Sequence, residues 1–105
     1  METSERLVLF RSIPYSSVFN DALRIFKRNN LSVSEYDFDK GLIKAEFSDN
    51  MPTEDAQIIA KFWNGKDRIL IGLRGSLSFS FTGADKLKEK LKRLQTDLRR
   101  LDYAF

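Results

Sequence analysis

The chain is 105 residues long, the size of one domain, and 42% of it is hydrophobic with nine Phe, enough to bury one core without a metal or disulfide staple. It contains no Cys and no His, which excludes disulfides, thiolate nucleophiles and cysteine zinc sites and removes the commonest general base and transition-metal ligand. The formal net charge of +3 is modest, so its meaning depends on where the basic residues lie.

Arg6 to Ser12 is apolar, partly β-branched and aromatic, and reads as a strand closed by Pro14, with Ser16 or Ser17 placed to cap the next element. Val18, Phe19, Ala22, Leu23, Ile25 and Phe26 recur at helical spacing, with Asn20, Asp21, Arg24, Lys27 and Arg28 between them. An amphipathic helix ending at Asn29-Asn30 is expected, its last-turn cations favoured by the helix dipole. Leu31 to Phe38 and Leu42 to Ser48 flank Asp39-Lys40-Gly41 and read as a β-hairpin, with Ile43, Ala45 and Phe47 on one face.

Residues 53–64 fit either regular structure. Glu54, Gln57, Lys61 and Asn64 share one helical side, Ala56, Ile59, Ala60 and Trp63 the other, with Thr53 as N-cap and Gly65 after the end. The expectation is a helix. Ile69 to Leu73 and Leu77 to Phe81 then alternate around Gly75-Ser76, which reads as the turn of a second hairpin. From Ala84 to about residue 102 the composition and period are helical.

The expected fold is one α+β domain over residues 1–105, an antiparallel sheet packed by helices. Its expected order is β-α-β-β-α-β-β-α, the alternative being β-α-β4-α if 53–64 is not helical. No stretch approaches the ~18 apolar residues of a membrane span, so no membrane insertion is expected. The opening Met1 to Arg6 has no apolar signal region. A soluble, cytoplasmic protein is the default expectation, and an envelope location stays open if the chain is part of a longer one.

Three surfaces could carry function. In the last helix Leu87, Leu91, Leu94, Leu98 and Leu101, continued by Ala84 and Phe105, form a strict alternation of three- and four-residue steps. This seam is either a self-association surface, giving a homodimer, or a stripe laid on the protein's own sheet; the flanking charges and the short run favour the sheet. Away from the seam, Lys86, Lys92, Arg93, Arg99 and Arg100 form a basic face, with Lys88 and Lys90 nearer the seam's edges. That face could contact phosphates or an acidic partner, or be simply solvated. On the sheet, Lys44 and Glu46 should point away from the core beside Arg11, Arg74, Ser78 and Ser80, a polar face with no expected aromatic platform.

Other motifs fail on spacing. Asp37 to Gly41 starts like a calcium loop, but the Gly is one place early and Ser48 stands where the bidentate Glu belongs. Gly72 to Ser76 lacks the spacing and following helix of a phosphate loop, and Asp37, Asp39, Glu46 and Asp49 are too dispersed for a glycosidase pair.

Two family resemblances rest on these residues. Tyr15, Val18 to Phe26, Leu31 to Val33, Asp37 to Gly41 and Leu42 to Ala45 resemble the opening of small bacterial envelope lipoprotein domains. Those domains are non-enzymatic parts of envelope assemblies, usually β-α-β4-α; this chain lacks their lipidated Cys. Val8 to Tyr15, Lys40 to Phe47 and Asp55 to Lys66 resemble the RNA-recognition motif, a ferredoxin-like fold. There, Leu9, Leu42 and Lys44 stand where stacking aromatics would be. The function expected from the sequence is a non-catalytic binding or assembly module acting through protein contacts, with no metal or other cofactor. Nucleic-acid binding by the last helix is the alternative, and a small apolar ligand between helix and sheet a third.

Overall fold

The computed structural model describes residues 2–9, 14–47, 56–77 and 83–103. In chain order these form β1 (Glu2–Leu9), α1 (Tyr15–Arg28), β2 (Leu31–Asp37), β3 (Leu42–Phe47), β4 (Gln57–Asn64), β5 (Ile69–Ser76) and α2 (Gly83–Arg99), followed by a short 3-10 turn at Arg100–Tyr103. The strands make one antiparallel sheet in the order β1-β5-β4-β3-β2. Both helices pack on the same side of it: α1 lies toward β2, and α2 toward β1 and β5. The fold is α+β, and its order is the β-α-β4-α alternative.

Residues 57–64 are therefore strand, not helix. Ile58, Ala60 and Phe62 are buried, while Gln57, Ile59 and Lys61 between them are only half-buried. That period of two marks a sheet with one covered face. Apolar residues at Ala56, Ile58, Ile59, Ala60, Phe62 and Trp63 satisfy both periods, so local pattern cannot separate them. Pairing to β3 on one side and β5 on the other decides, and the β-branched and aromatic residues suit it. Thr53, Glu54 and Asp55 lie outside the described residues. Gly65 follows no helix; its N–H donates to the Arg68 carbonyl at 2.9 Å inside the β4–β5 turn.

The second hairpin is accordingly β4–β5, and Gly75-Ser76 is not a turn. Both residues remain in β5, Gly75 opposite Thr3 and Ile58, Ser76 opposite Glu2 and Gln57. A glycine is needed there because α2 sits on it: a Cβ would stand 2.7 Å from Leu87 Cδ1 and 3.1 Å from Leu91 Cδ1. Residues 78–82 lie outside the description, as do 10–12 of the expected first strand, which runs instead from Glu2 to Leu9.

Helix α1 starts ahead of the serines expected to cap it. Pro14 is the extended residue at its head, and the Pro14 carbonyl accepts from the N–H groups of Ser17 (3.0 Å) and Val18 (3.2 Å). Ser16 and Ser17 thus belong to the first turn. The helix buries Val18, Phe19, Ala22, Ile25 and Phe26 and ends at Asn29, followed by Asn30 at φ 61°, a left-handed residue where Asn is tolerated. At the β2–β3 turn Gly41 has φ +65°, and a Cβ there would lie 2.5 Å from the Phe62 carbonyl oxygen. The Phe62 N–H donates to the Gly41 carbonyl at 2.8 Å, holding the two backbones together.

The leucine seam of α2 is inside the chain's own core. Leu87, Leu91, Leu94 and Leu98 are essentially fully buried and Leu101 packs partly against them, so these four leucines are not a free self-association surface. Each such side chain contributes about 1.5–3 kcal/mol of burial, and the sheet supplies the partner area that a second helix would have supplied. Gln95 Nε2 also donates to the Arg6 carbonyl at 2.9 Å, tying α2 to β1.

Lys90 departs from the expected solvated face. Only 8% of it is exposed; its ammonium donates to the Asn29 carbonyl at 2.7 Å and lies 5.4 Å from the Phe47 ring centroid. Asn29 Nδ2 in turn donates to Ile25 O at 2.8 Å and to Asp97 Oδ2 at 3.0 Å. The end of α1 is thereby clasped to the middle of α2.

Candidate functional site

Both helices lie on one face, no described element covers the other, and strand register fixes what that open face displays. One row across the sheet reads Ser4, Arg74, Ile59, Lys44, Glu35; the next reads Arg6, Gly72, Lys61, Leu42, Asp37. Beyond them Val8, Leu70 and Trp63 stand side by side. Four cations, Arg6, Arg74, Lys61 and Lys44, therefore alternate between two rows in a zigzag running across the strands. Neighbouring members are about 8 Å apart at the Cα level, by standard strand spacing.

Trp63 flanks this track on β4, two residues beyond Lys61. It is 49% exposed, a large apolar area for a side chain held on a regular strand. Its neighbour across the ladder on the adjoining row is Gly72, and a Cβ at Gly72 would meet the indole Cζ3 at 3.2 Å. The missing side chain lets the indole rest on the backbone of β5. Among the described residues none forms an ion pair with Arg6, Lys44 or Arg74. Lys61 Nζ donates to the Lys40 carbonyl at 2.9 Å, a contact that leaves its charge uncancelled. Glu35 and Asp37 on β2 and Glu46 on β3 lie toward the opposite edge, so among the residues whose side chains are described this face grades from basic at β1 to acidic at β2, with Glu2 opposite Ser76 at the start of β1.

Of the sheet-face residues expected from sequence, Lys44 and Arg74 stand on the open face in the same row, separated by Ile59. Arg11 lies outside the described residues, as do Ser78 and Ser80. The expected lack of an aromatic platform is overturned: it came from placing Trp63 on the buried side of a helix. Pairing of 57–64 with β3 and β5 is what turns Trp63 and Lys61 outward.

On α2, Lys86, Lys92, Arg93 and Arg99 are all exposed, as are Lys88 and, in the 3-10 turn that follows, Arg100. They do not form an uninterrupted cationic face. Arg93 is bound to Glu89 at 3.0 Å and Arg100 approaches Asp97 at 3.9 Å. A shallow groove of about 570 Å³ runs along this helix past Asn29, and Asp85, Glu89 and Asp97 share its walls with Lys88, Lys92 and Arg93. Lys86 and Arg93 meet Lys90, Glu89 and Phe47 in a smaller hollow of about 180 Å³. The groove is close to balanced, with four cations (Arg100 included) to three carboxylates, while the smaller hollow is basic, with three cations to one.

No family model matches the chain, and no curated protein matches it. Solved structures share its fold. An uncharacterized protein from Bacillus thuringiensis, 6% identical, superposes with a TM-score of 0.67 over 98% of this chain and 99% of that one. A protein from Thermus thermophilus, 12% identical, gives a TM-score of 0.56 over 99% of this chain and 98% of its own. At these identities the likeness is one of fold alone.

Proposed function

We propose that the chain is a non-catalytic binding module that holds a polyanionic macromolecule on the open face of its sheet. The observation that carries this reading is the placement of a half-exposed Trp63 beside four cations on a face that the chain's own helices leave uncovered. Binding through a rigid sheet requires little reordering of the protein, which lowers the entropic cost of association. The other two surfaces fit less well. The α2 seam is already occupied by the core, and the α2 basic face carries interleaved carboxylates.

Trp63 is the chain's single Trp, so its emission reports directly on the proposed face. Titration with poly-glutamate and with oligothymidylate at low salt should change that emission saturably for at least one of the two. The effect should weaken steeply between about 50 and 200 mM salt. Reversal of Arg6 and Arg74 to Glu should abolish it, whereas reversal of Arg93 and Arg99 to Glu should leave it nearly intact. Loss only in the α2 variant would place the site on the helix. Indifference of the wild-type protein to both polyanions would end the reading.

A further inference from the structure

We infer that the polyanion is single-stranded nucleic acid, its phosphates following the Arg6–Arg74–Lys61–Lys44 zigzag and one base stacked on Trp63; this rests on the open-face reading above. An acidic peptide would satisfy the cations but has no use for the indole. A nucleobase uses both, because every base offers a π-face and stacking on an aromatic side chain adds to the charge attraction. The geometry provides for that contact: one part of the indole rests on Gly72 and the rest is open to solvent.

Spacing supports the same occupant. Lys61 precedes Trp63 by two residues on one strand and faces the same way, roughly 7 Å back along it. A base on Trp63 therefore has its own backbone within reach of Lys61, and the neighbouring phosphates within reach of Arg6 and Arg74. The carboxylates of Glu35 and Asp37 at the β2 edge repel the strand, confining its path to β1, β5, β4 and the near side of β3. A duplex keeps its bases stacked on one another and denies them to Trp63. Neither stacking nor phosphate contact reads sequence, so the binding is tolerant of base identity.

The test uses the full chain, 10-mers of dT and rU, a duplex of the same length, and poly-glutamate of equal charge. Fluorescence anisotropy and Trp63 quenching are read together. The single strands should bind and quench Trp63, and poly-glutamate and duplex should bind at least tenfold more weakly. Trp63→Ala should weaken single-strand binding roughly ten- to hundred-fold, as expected for one stacked base, while Trp63→Phe should recover most of it. The log–log salt slope should be about −2 to −3, and Arg74→Gln should reduce its magnitude by about 0.7, one phosphate's worth. Equal binding of poly-glutamate and single strands, insensitive to Trp63→Ala, would overturn the nucleic-acid assignment and leave an acidic protein as the partner of the same face. Binding by neither would overturn the open-face reading with it.

Discussion

Tyr15 joins the start of α1 to the β2–β3 turn, and its two ends do different work. The ring packs with Phe38 at 5.0 Å, Phe19 at 5.9 Å and Phe62 at 6.3 Å between centroids, while the hydroxyl donates to the Phe38 carbonyl at 2.9 Å. Burial raises the phenol above its ordinary range, and the carboxylates of Asp39 and Asp37 add to the effect. A raised folded-state value means that the folded protein holds this proton more tightly than the unfolded chain does. The resulting stability is fully present below about pH 10, the unfolded value, and is lost as pH rises through the folded one. Tyr15→Phe keeps the ring and removes only the hydroxyl, so at pH 7 it should cost about 0.5–1.5 kcal/mol. Urea unfolding of both proteins at pH 7 and above pH 10 checks this: the gap between them should narrow at the higher pH. A gap that stays constant would show that the hydroxyl's environment does not favour the protonated form.

At the scale of elements, the clasp between α1 and α2 is held by polar atoms far apart in sequence. The Asn29 carbonyl is one of the groups a helix end leaves without an internal partner, and Lys90 brings both a donor and a positive charge to that end. Lys90→Ala removes the ammonium from that carbonyl and the lysine stem from Phe47, and should cost about 1–3 kcal/mol in urea unfolding. Lys86→Ala, one turn earlier on an exposed position, should change stability by less than about 0.5 kcal/mol. Equal costs would mean that the clasp contributes nothing beyond helix propensity.

The same distinction between local and distant governs how much of each element was legible in the sequence. The span of α1, the β2–β3 hairpin and the buried stripe of α2 were legible because each has one dominant period. β4 was not, since Ala56, Ile58, Ile59, Ala60, Phe62 and Trp63 suit either period and only pairing with β3 and β5 selects one. Gly75 carried a turn signal, yet its real constraint is Leu87, which lies over it from the far helix. The partner of Lys90 sits 61 residues off. For the candidate site, Lys44 and Arg74 could be assigned to the outer face from their own hairpins. Lys61 and Trp63 join them only once β4 is known to be a strand, and Arg6 through the pairing of β1 with β5.

For the whole molecule, the two faces of one sheet differ: the covered face holds the fold together, and the open face is the one proposed to take a partner. The two should respond to substitution independently. Leu94 is fully buried in the core under α2, so Leu94→Asp either buries a charge without a partner or leaves a hole where the leucine was. Its expected cost, above about 4 kcal/mol, is a large part of the roughly 5–15 kcal/mol by which a domain is stable. Far-UV circular dichroism and urea unfolding should show that variant largely unfolded or with a greatly lowered midpoint. Reversal of Arg6 and Arg74 to Glu alters only the open face, touches no buried side chain, and should leave stability within about 1 kcal/mol of the wild type while abolishing polyanion binding. The comparison also decides between the two uses of the leucine seam. A Leu94→Asp protein that stays folded and falls in solution mass would make α2 a contact between copies of the chain. Unfolding without any folded species of lower mass is the result that the burial of Leu87, Leu91, Leu94 and Leu98 in a single chain requires.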